Sequence, residues 1–139
     1  MDNVSPEKRS EIMSRIKEKD TFPEMAVRRL VYALGYRYRL HRKDLPGKPD
    51  LVFKGRRKVI FVHGCFWHGH KDCNKGSLPK TNSEFWREKI ARNIERDQRN
   101  IEELNIIGYK SLIVWECQTK DMIRVTQMIT DFLENKKSL

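Results

Sequence analysis

No apolar stretch in this chain comes near the length that crosses a membrane, and residues 1–10 are polar and charged where a signal peptide would carry its apolar centre. Both absences lead us to expect a cytoplasmic protein. Cysteine is scarce too, with three in 139 residues. In the cytoplasm three thiols do not make a disulfide framework, which leaves metal ligation or buried free thiols. Repeats, low-complexity segments and linker-like stretches are missing, so the expectation is one domain, residues 1–139, with a core that needs no covalent staples. The last shortage is of acids. Asp and Glu number 19 against 29 Lys and Arg, giving a net charge of +10 and an isoelectric point near 9.7. A compact domain this basic is expected to meet a polyanion. Between Arg37 and Lys58 stand Arg39, Arg42, Lys43, Lys48, Lys54, Arg56 and Arg57, opposed only by Asp44 and Asp50. A solvated face would explain such a run equally well, but a polar site inside it favours nucleic acid.

The local signals predict an α-α-β-β-β-α-β-α order. Ser5-Pro6-Glu7 combines an N-cap, a proline at the first helical position and an early acid, and starts a helix to about residue 19. Its apolar content is only Ile12, Met13 and Ile16, a stripe too thin for firm docking unless a partner completes it. Thr21-Phe22-Pro23-Glu24 is a capping box, and the helix after it carries Ala26, Leu30 and Leu34 as its expected apolar stripe up to Gly35. Residues 36–41 alternate aromatic or apolar with basic side chains, as a half-exposed strand does. Residues 50–53 and 58–62 read as two strands joined by Lys54-Gly55-Arg56-Arg57. A loop over 64–82 follows, then a long helix from about Ser83 with Trp86, Ile90, Ile94, Ile101 and Leu104 facing inward. Residues 109–115 form a strand apolar enough to be central. The last helix, about 121–134, buries Val125, Met128, Ile129, Phe132 and Leu133. This is a mixed α/β layer fold, a central sheet flanked by helices.

Chemistry gathers in thirteen residues, Phe61-Val62-His63-Gly64-Cys65-Phe66-Trp67-His68-Gly69-His70-Lys71-Asp72-Cys73, which hold three of the four histidines and two of the three cysteines. They run from the end of a buried strand into a polar loop. Cys65, His70 and Cys73 have C-x4-H-x2-C spacing, and Cys117 ends another strand. Ends of neighbouring strands meet at one sheet edge, so these four could form a closed structural Zn2+ site that orders the loop. Buried apolar thiols and a surface histidine are the plainer alternative. His63 and His68 are left over and could do proton transfer, although a strand-end histidine satisfied by its neighbours would look the same. Asp50 opens the strand before His63. It offers a carboxylate to a hard cation such as Mg2+, or simply closes a Pro-Gly turn. The capping box accounts for Glu24, and a place near the metal is an additional claim. Phe66 and Trp67 are adjacent aromatics in a polar loop, where bases could stack on them or one could pack beneath the loop. Trp86 lies on the stripe of its helix, as a core residue would.

Together these residues resemble the very-short-patch repair (Vsr) mismatch endonucleases of bacteria, over essentially the whole chain. The likeness is carried by Leu45-Pro46-Gly47-Lys48-Pro49-Asp50, by Val59-Ile60-Phe61-Val62-His63-Gly64-Cys65-Phe66-Trp67-His68, by Glu84-Phe85-Trp86-Arg87-Glu88-Lys89-Ile90 and by Leu112-Ile113-Val114-Trp115-Glu116-Cys117. It implies a restriction-endonuclease-like fold, a PD-(D/E)XK variant in which Phe61-Val62-His63 replaces the usual second half of the motif. It also implies Mg2+-dependent nicking of double-stranded DNA 5′ to the thymine of a T:G mismatch, the lesion left when 5-methylcytosine deaminates. Carried over by residue, Asp50 and the backbone carbonyl of Val62 would hold Mg2+, and His68 would be the general base or its close partner. His63 would hold a metal-bound water or phosphate, with Glu24 supporting the cluster. Cys65, His70, Cys73 and Cys117 would bind structural Zn2+, making 64–82 a zinc-ordered loop. Phe66, Trp67 and Trp86 would enter the base stack, and Met13, in a DNA-contacting helix over 1–20, would wedge in from the other groove. A MutL-type repair protein is the implied partner, and a monomer in the bacterial cytoplasm, at the nucleoid, the implied state. Two positions depart from the family pattern. Members can carry a histidine run with one residue fewer before the second cysteine, and threonine can stand where this chain has Val62.

Two other functions fit the same residues. One is a restriction-type or structure-specific DNA nuclease with another target. The other is a zinc-stabilised DNA-binding module that does not cut. Cleavage of fully paired DNA would identify the first, and indifference to loss of Asp50 the second.

Overall fold

The computed structural model describes residues 21–70 and 81–134. The predicted N-terminal helix, Met13 and Cys73 lie outside those residues. Helix α1 (Phe22–Ala33) starts at Thr21, whose side chain accepts the Glu24 amide at 3.3 Å, and stops before Gly35, which has φ +97°. A side chain at that φ would be strained, so glycine ends the helix where the capping signals place it. Three antiparallel strands follow: β1 (Arg39–Leu40), β2 (Leu51–Phe53) and β3 (Lys58–His63). Helix α2 (Ser83–Ile106) then crosses over to β4 (Lys110–Trp115), which pairs parallel to β3, and α3 (Met122–Leu133) closes the described chain. The sheet order is β1-β2-β3-β4.

Alternation along the strands sends side chains to two cores. Leu51, Phe53, Ile60 and Val114 meet Val27 and Val31 of α1 and Val125, Ile129 and Leu133 of α3. Val52, Val59 and Phe61 meet Leu45 and Leu104 on the α2 side. The result is a mixed α/β sheet between helices, as expected, with β3 buried on both faces.

Four expectations change. The strand at 36–41 shrinks to Arg39–Leu40, because the Tyr36 amide still bonds back to the Val31 carbonyl (3.2 Å) and finishes the turn out of α1. The buried stripe of α1 is Val27 and Val31, not Ala26, Leu30 and Leu34; Leu30 lies at its margin and Leu34 is exposed. The helix is apolar around much of its surface, and only the sheet selects the face. β4 is an edge strand among the described residues. Its apolar run reflects helices covering both faces: Leu112 and Val114 turn to one core, Ile113 to the other. Finally, part of the basic run is structural. The buried Lys58 donates to the Phe132 carbonyl (2.6 Å) and the Leu133 carbonyl (3.2 Å), and Arg56 donates to the Leu133 carbonyl (2.9 Å). Two cations thus satisfy the unpaired carbonyls at the α3 C-terminus and offset its dipole.

Candidate active site

Three groups of ligand-bearing side chains meet around the C-terminal end of β3. The first is Glu24, His41 and Asp50. Asp50 stands one residue before β2, and its Oδ2 accepts the Val62 amide at 2.7 Å, so the carboxylate replaces a ladder bond where β2 and β3 stop pairing. Glu24 is 1% exposed and lies on the same helix face as Val27 and Val31. Its Oε2 is 2.9 Å from His41 Nε2 and 3.4 Å from Arg28 Nη1. His41 Nε2 is also 3.8 Å from Asp50 Oδ1. Burial, reinforced by the charge of Glu24, pushes the Asp50 carboxyl up to about 7, against the hydrogen bond from Val62. A buried acid and a half-buried one thus share one corner with an imidazole, a set of donors that could hold a cation.

The second group is His63, His68 and Asp97. The loop after β3 winds back on itself: the His68 amide donates to the Gly64 carbonyl at 3.2 Å and the His70 amide to the Cys65 carbonyl at 2.9 Å. That turn stacks the His68 ring on His63, centroids 3.7 Å apart and planes within 5°. Gly69 has φ +63°, and a Cβ there would stand 2.6 Å from Ile94 Cδ1, so only glycine lets the loop settle this close to α2. His68 Nδ1 lies 2.5 Å from Asp97 Oδ2 of α2. His63 is buried, which holds its ring nitrogen far below the usual histidine range, near 3, with the neighbouring His68 adding to the effect. Its Nδ1 is buried and has no hydrogen-bond partner among the described residues.

The third group is Cys65, His70 and Cys117. Cys117 follows β4 and its Sγ is 3.5 Å from His70 Nδ1. His70 stacks on Trp115, centroids 4.2 Å apart, and Glu116 accepts the Cys65 amide at 3.3 Å. Two thiols and an imidazole are donors that could hold a soft metal ion. Of the loop histidines it is His70 that joins the thiols, while His63 and His68 face α2.

Beside these groups Phe66, Trp67 and Trp86 pack edge to face, with centroid separations of 5.2 to 5.8 Å. All three are partly exposed. The Asn93 side chain donates to the Trp67 carbonyl at 3.0 Å, and Lys89 Nζ stands 5.7 Å from the Trp67 ring centre. Trp86, on a stripe that reads as core, is instead the surface-facing end of that stripe. A flat-faced aromatic group with a cation at its rim, next to acids and imidazoles, suits a polyanion whose bases can stack.

Residues 1–75 match the family described as DNA mismatch endonuclease Vsr. The type II nicking enzyme V.XorIIP of Xanthomonas oryzae pv. oryzae is 47% identical over 133 residues, which are 96% of this chain and 97% of that protein. The chain belongs to the Vsr family. It is therefore an endonuclease, and the reading as a module that only binds gives way. The DNA mismatch endonuclease Vsr of Escherichia coli is 42% identical over 127 residues, 91% of this chain and 81% of that protein. The catalytic domain of the homing endonuclease I-Bth0305I superposes with a TM-score of 0.59 at 21% identity, covering 86% of this chain and all of that one, a likeness of fold. Among the described residues no helix is long and apolar enough to cross a membrane.

Within this Vsr chain the sequence signals missed Asp97 and His41. Asp97 had a readable signal. Trp86, Ile90, Asn93, Asp97, Ile101 and Leu104 recur at three- and four-residue steps, so an acid occupies a slot of the inward stripe. His41 had a weaker one. Pairing Leu40 with Leu51 sets the next residue, His41, opposite Asp50, but that register is known only from the sheet.

Proposed function

We propose that this Vsr endonuclease nicks duplex DNA 5′ to the thymine of a T:G mismatch and so begins very-short-patch repair of deaminated 5-methylcytosine. The observation that carries the proposal is the juxtaposition of the Asp50–Glu24 acid pair, the His68–Asp97 pair and the Phe66–Trp67–Trp86 cluster at one edge of the sheet. The aromatics would intrude at a base step weakened by the mismatch, where unstacking costs less than in paired DNA. Met13 would enter from the opposite groove, and the exposed arginines and lysines would supply affinity.

Asp50, the Val62 carbonyl and, in support, Glu24 would hold Mg2+. A buried Glu24 and a half-buried Asp50, the latter kept protonated to about pH 7 without a cation, fit such a charge. When bound, Mg2+ supplies Lewis-acid stabilisation of charge at the scissile phosphate. His68, with Nδ1 directed to Asp97, presents Nε2 to take the proton of the attacking water. His63 stays neutral, and its buried Nδ1, without a hydrogen-bond partner among the described residues, would hold a metal-bound water or phosphate once the site is occupied. Cys65, His70 and Cys117, with Cys73, would bind Zn2+, which fixes the loop bearing Phe66, Trp67 and His68. We further place the enzyme in the bacterial cytoplasm as a monomer acting with a MutL-type repair protein, since a mismatch has no two-fold symmetry to match.

The deciding experiment uses otherwise identical duplexes with T:G, C:G or T:A at one position, with Mg2+ and varied flanking sequence. Nicking confined to the thymine strand of T:G, and lost in Asp50→Ala with binding retained, is the expected result. Equal cutting of all three duplexes would move the enzyme to the restriction-type reading. Separately, atomic emission is expected to find zinc in the wild type and to find it lost in Cys117→Ser. Its Tm should drop by on the order of 10 °C, as loss of several kcal/mol of metal-linked folding energy implies. An unchanged metal content would remove the zinc assignment.

A further inference from the structure

The neighbourhood of Asp50 contains one nitrogen that the reading above does not use. We propose that His41 is a direct ligand of the cation held by Asp50 and Glu24, making a mixed nitrogen–oxygen site that takes Mn2+ in preference to Mg2+. The inference rests on the assignment of Asp50 as the cation's carboxylate and goes on to the identity of the ion.

Geometry supports it first. Donors on one octahedral ion with bonds of about 2.1 Å stand roughly 3 Å apart when adjacent and about 4.2 Å apart when opposite. His41 Nε2 is 2.9 Å from Glu24 Oε2 and 3.8 Å from Asp50 Oδ1. All three ligand atoms lie within 4.8 Å of one another. The two Asp50 oxygens also divide their work. Oδ2 is engaged by the Val62 amide, and Oδ1 is the one that faces His41.

Backbone supports it second. His41 has φ +45°, in the left-handed region that is uncommon for a residue with a Cβ. Its amide donates to the Asp50 carbonyl at 3.3 Å, extending the Leu40–Leu51 pairing by one step. The strained residue is thus tied directly to the carboxylate's own backbone. Chemistry supports it third. Imidazole nitrogen suits first-row transition ions, whereas Mg2+ keeps to oxygen donors and to its waters.

The test is direct binding to the full chain, by calorimetry for Mg2+ and by electron paramagnetic resonance for Mn2+, with zinc already bound. His41→Gln keeps a hydrogen-bonding side chain beside Glu24. It is expected to weaken Mn2+ on the order of tenfold while leaving Mg2+ within about threefold. The same loss for both ions would make His41 only a positioning residue for Glu24 and overturn the proposal. No change for either ion would overturn it too. In the wild type, bound Mn2+ should show spin-echo modulation from a directly coordinated imidazole nitrogen, lost in His41→Gln. Its absence from the wild type overturns the proposal without any variant. Asp50→Asn should abolish binding of both ions. If it does not, the assignment of Asp50 fails, a result distinct from any His41 outcome.

Discussion

Asp50→Asn is expected to cut strand cleavage by about 10³-fold and, in the absence of divalent cation, to raise the melting temperature at pH 7. The first effect is the loss of several kcal/mol of charge stabilisation at the phosphate when the cation's carboxylate goes. The second follows from what holds the carboxyl proton. Burial and Glu24 raise the native Asp50 value from an ordinary 3.8 to about 7. Across that window the native state keeps a proton the unfolded chain has released, so stability falls as pH rises from about 4 to 7. Above pH 7 the full cost is present. Asparagine cannot ionise, yet its side-chain oxygen can still accept the Val62 amide that Asp50 accepts at 2.7 Å. The variant should therefore gain stability at pH 7, on the order of a few kcal/mol at most, and almost none at pH 4. His63 contributes the opposite slope, because a histidine kept neutral to about 3 destabilises the fold as pH drops below the unfolded value of 6.5. Comparing variant with wild type at each pH cancels that background. Equal melting curves at pH 7 and pH 4, or cleavage within tenfold of wild type, would contradict the role given to Asp50.

What the sequence made legible was set by local rules. Thr21 and Gly35 mark the ends of α1, and Val125, Ile129 and Leu133 announce the face of α3, because caps and a single apolar stripe have one solution each. The site was half legible for the same reason. His63, Cys65, His68 and His70 follow one another within a few residues, and Asp50 lies just upstream. The two missed residues come from other elements. His41 reaches Asp50 through strand register, and Asp97 reaches His68 because a 24-residue helix, about 36 Å long, lies across the sheet. Glu24 shows what the residues alone left open. With Ala26, Leu30 and Leu34 as the buried stripe, the capping box accounts for it, and only the resemblance put it beside the metal. With Val27 and Val31 buried, the same residue lies on the inward face, 2.9 Å from His41.

Replacing Asp97 by asparagine is expected to slow cleavage about as much as removing the His68 imidazole. His68→Ala takes away the base and should cost on the order of 10²- to 10⁴-fold, the usual worth of a positioned proton acceptor. Asp97 acts one step removed. At 2.5 Å from His68 Nδ1 the carboxylate can only accept, which puts the imidazole proton on Nδ1 and leaves Nε2 free for water. An asparagine can turn its amide group to donate to Nδ1, which favours the tautomer with its proton on Nε2, and a nitrogen that already bears a proton cannot take another. The ring would remain stacked on His63 at 3.7 Å, with position intact and protonation wrong. Asp97→Ala removes the tautomer bias without reversing it, so the order of activity should be wild type, then Asp97→Ala, then Asp97→Asn. Single-turnover nicking of a T:G duplex under saturating enzyme checks this ranking, with mismatch binding measured in parallel to show that only the chemical step has changed. Asp97→Asn faster than Asp97→Ala, or His68→Ala within threefold of wild type, would remove His68 as the base and return the pair to a structural role beneath the aromatic loop.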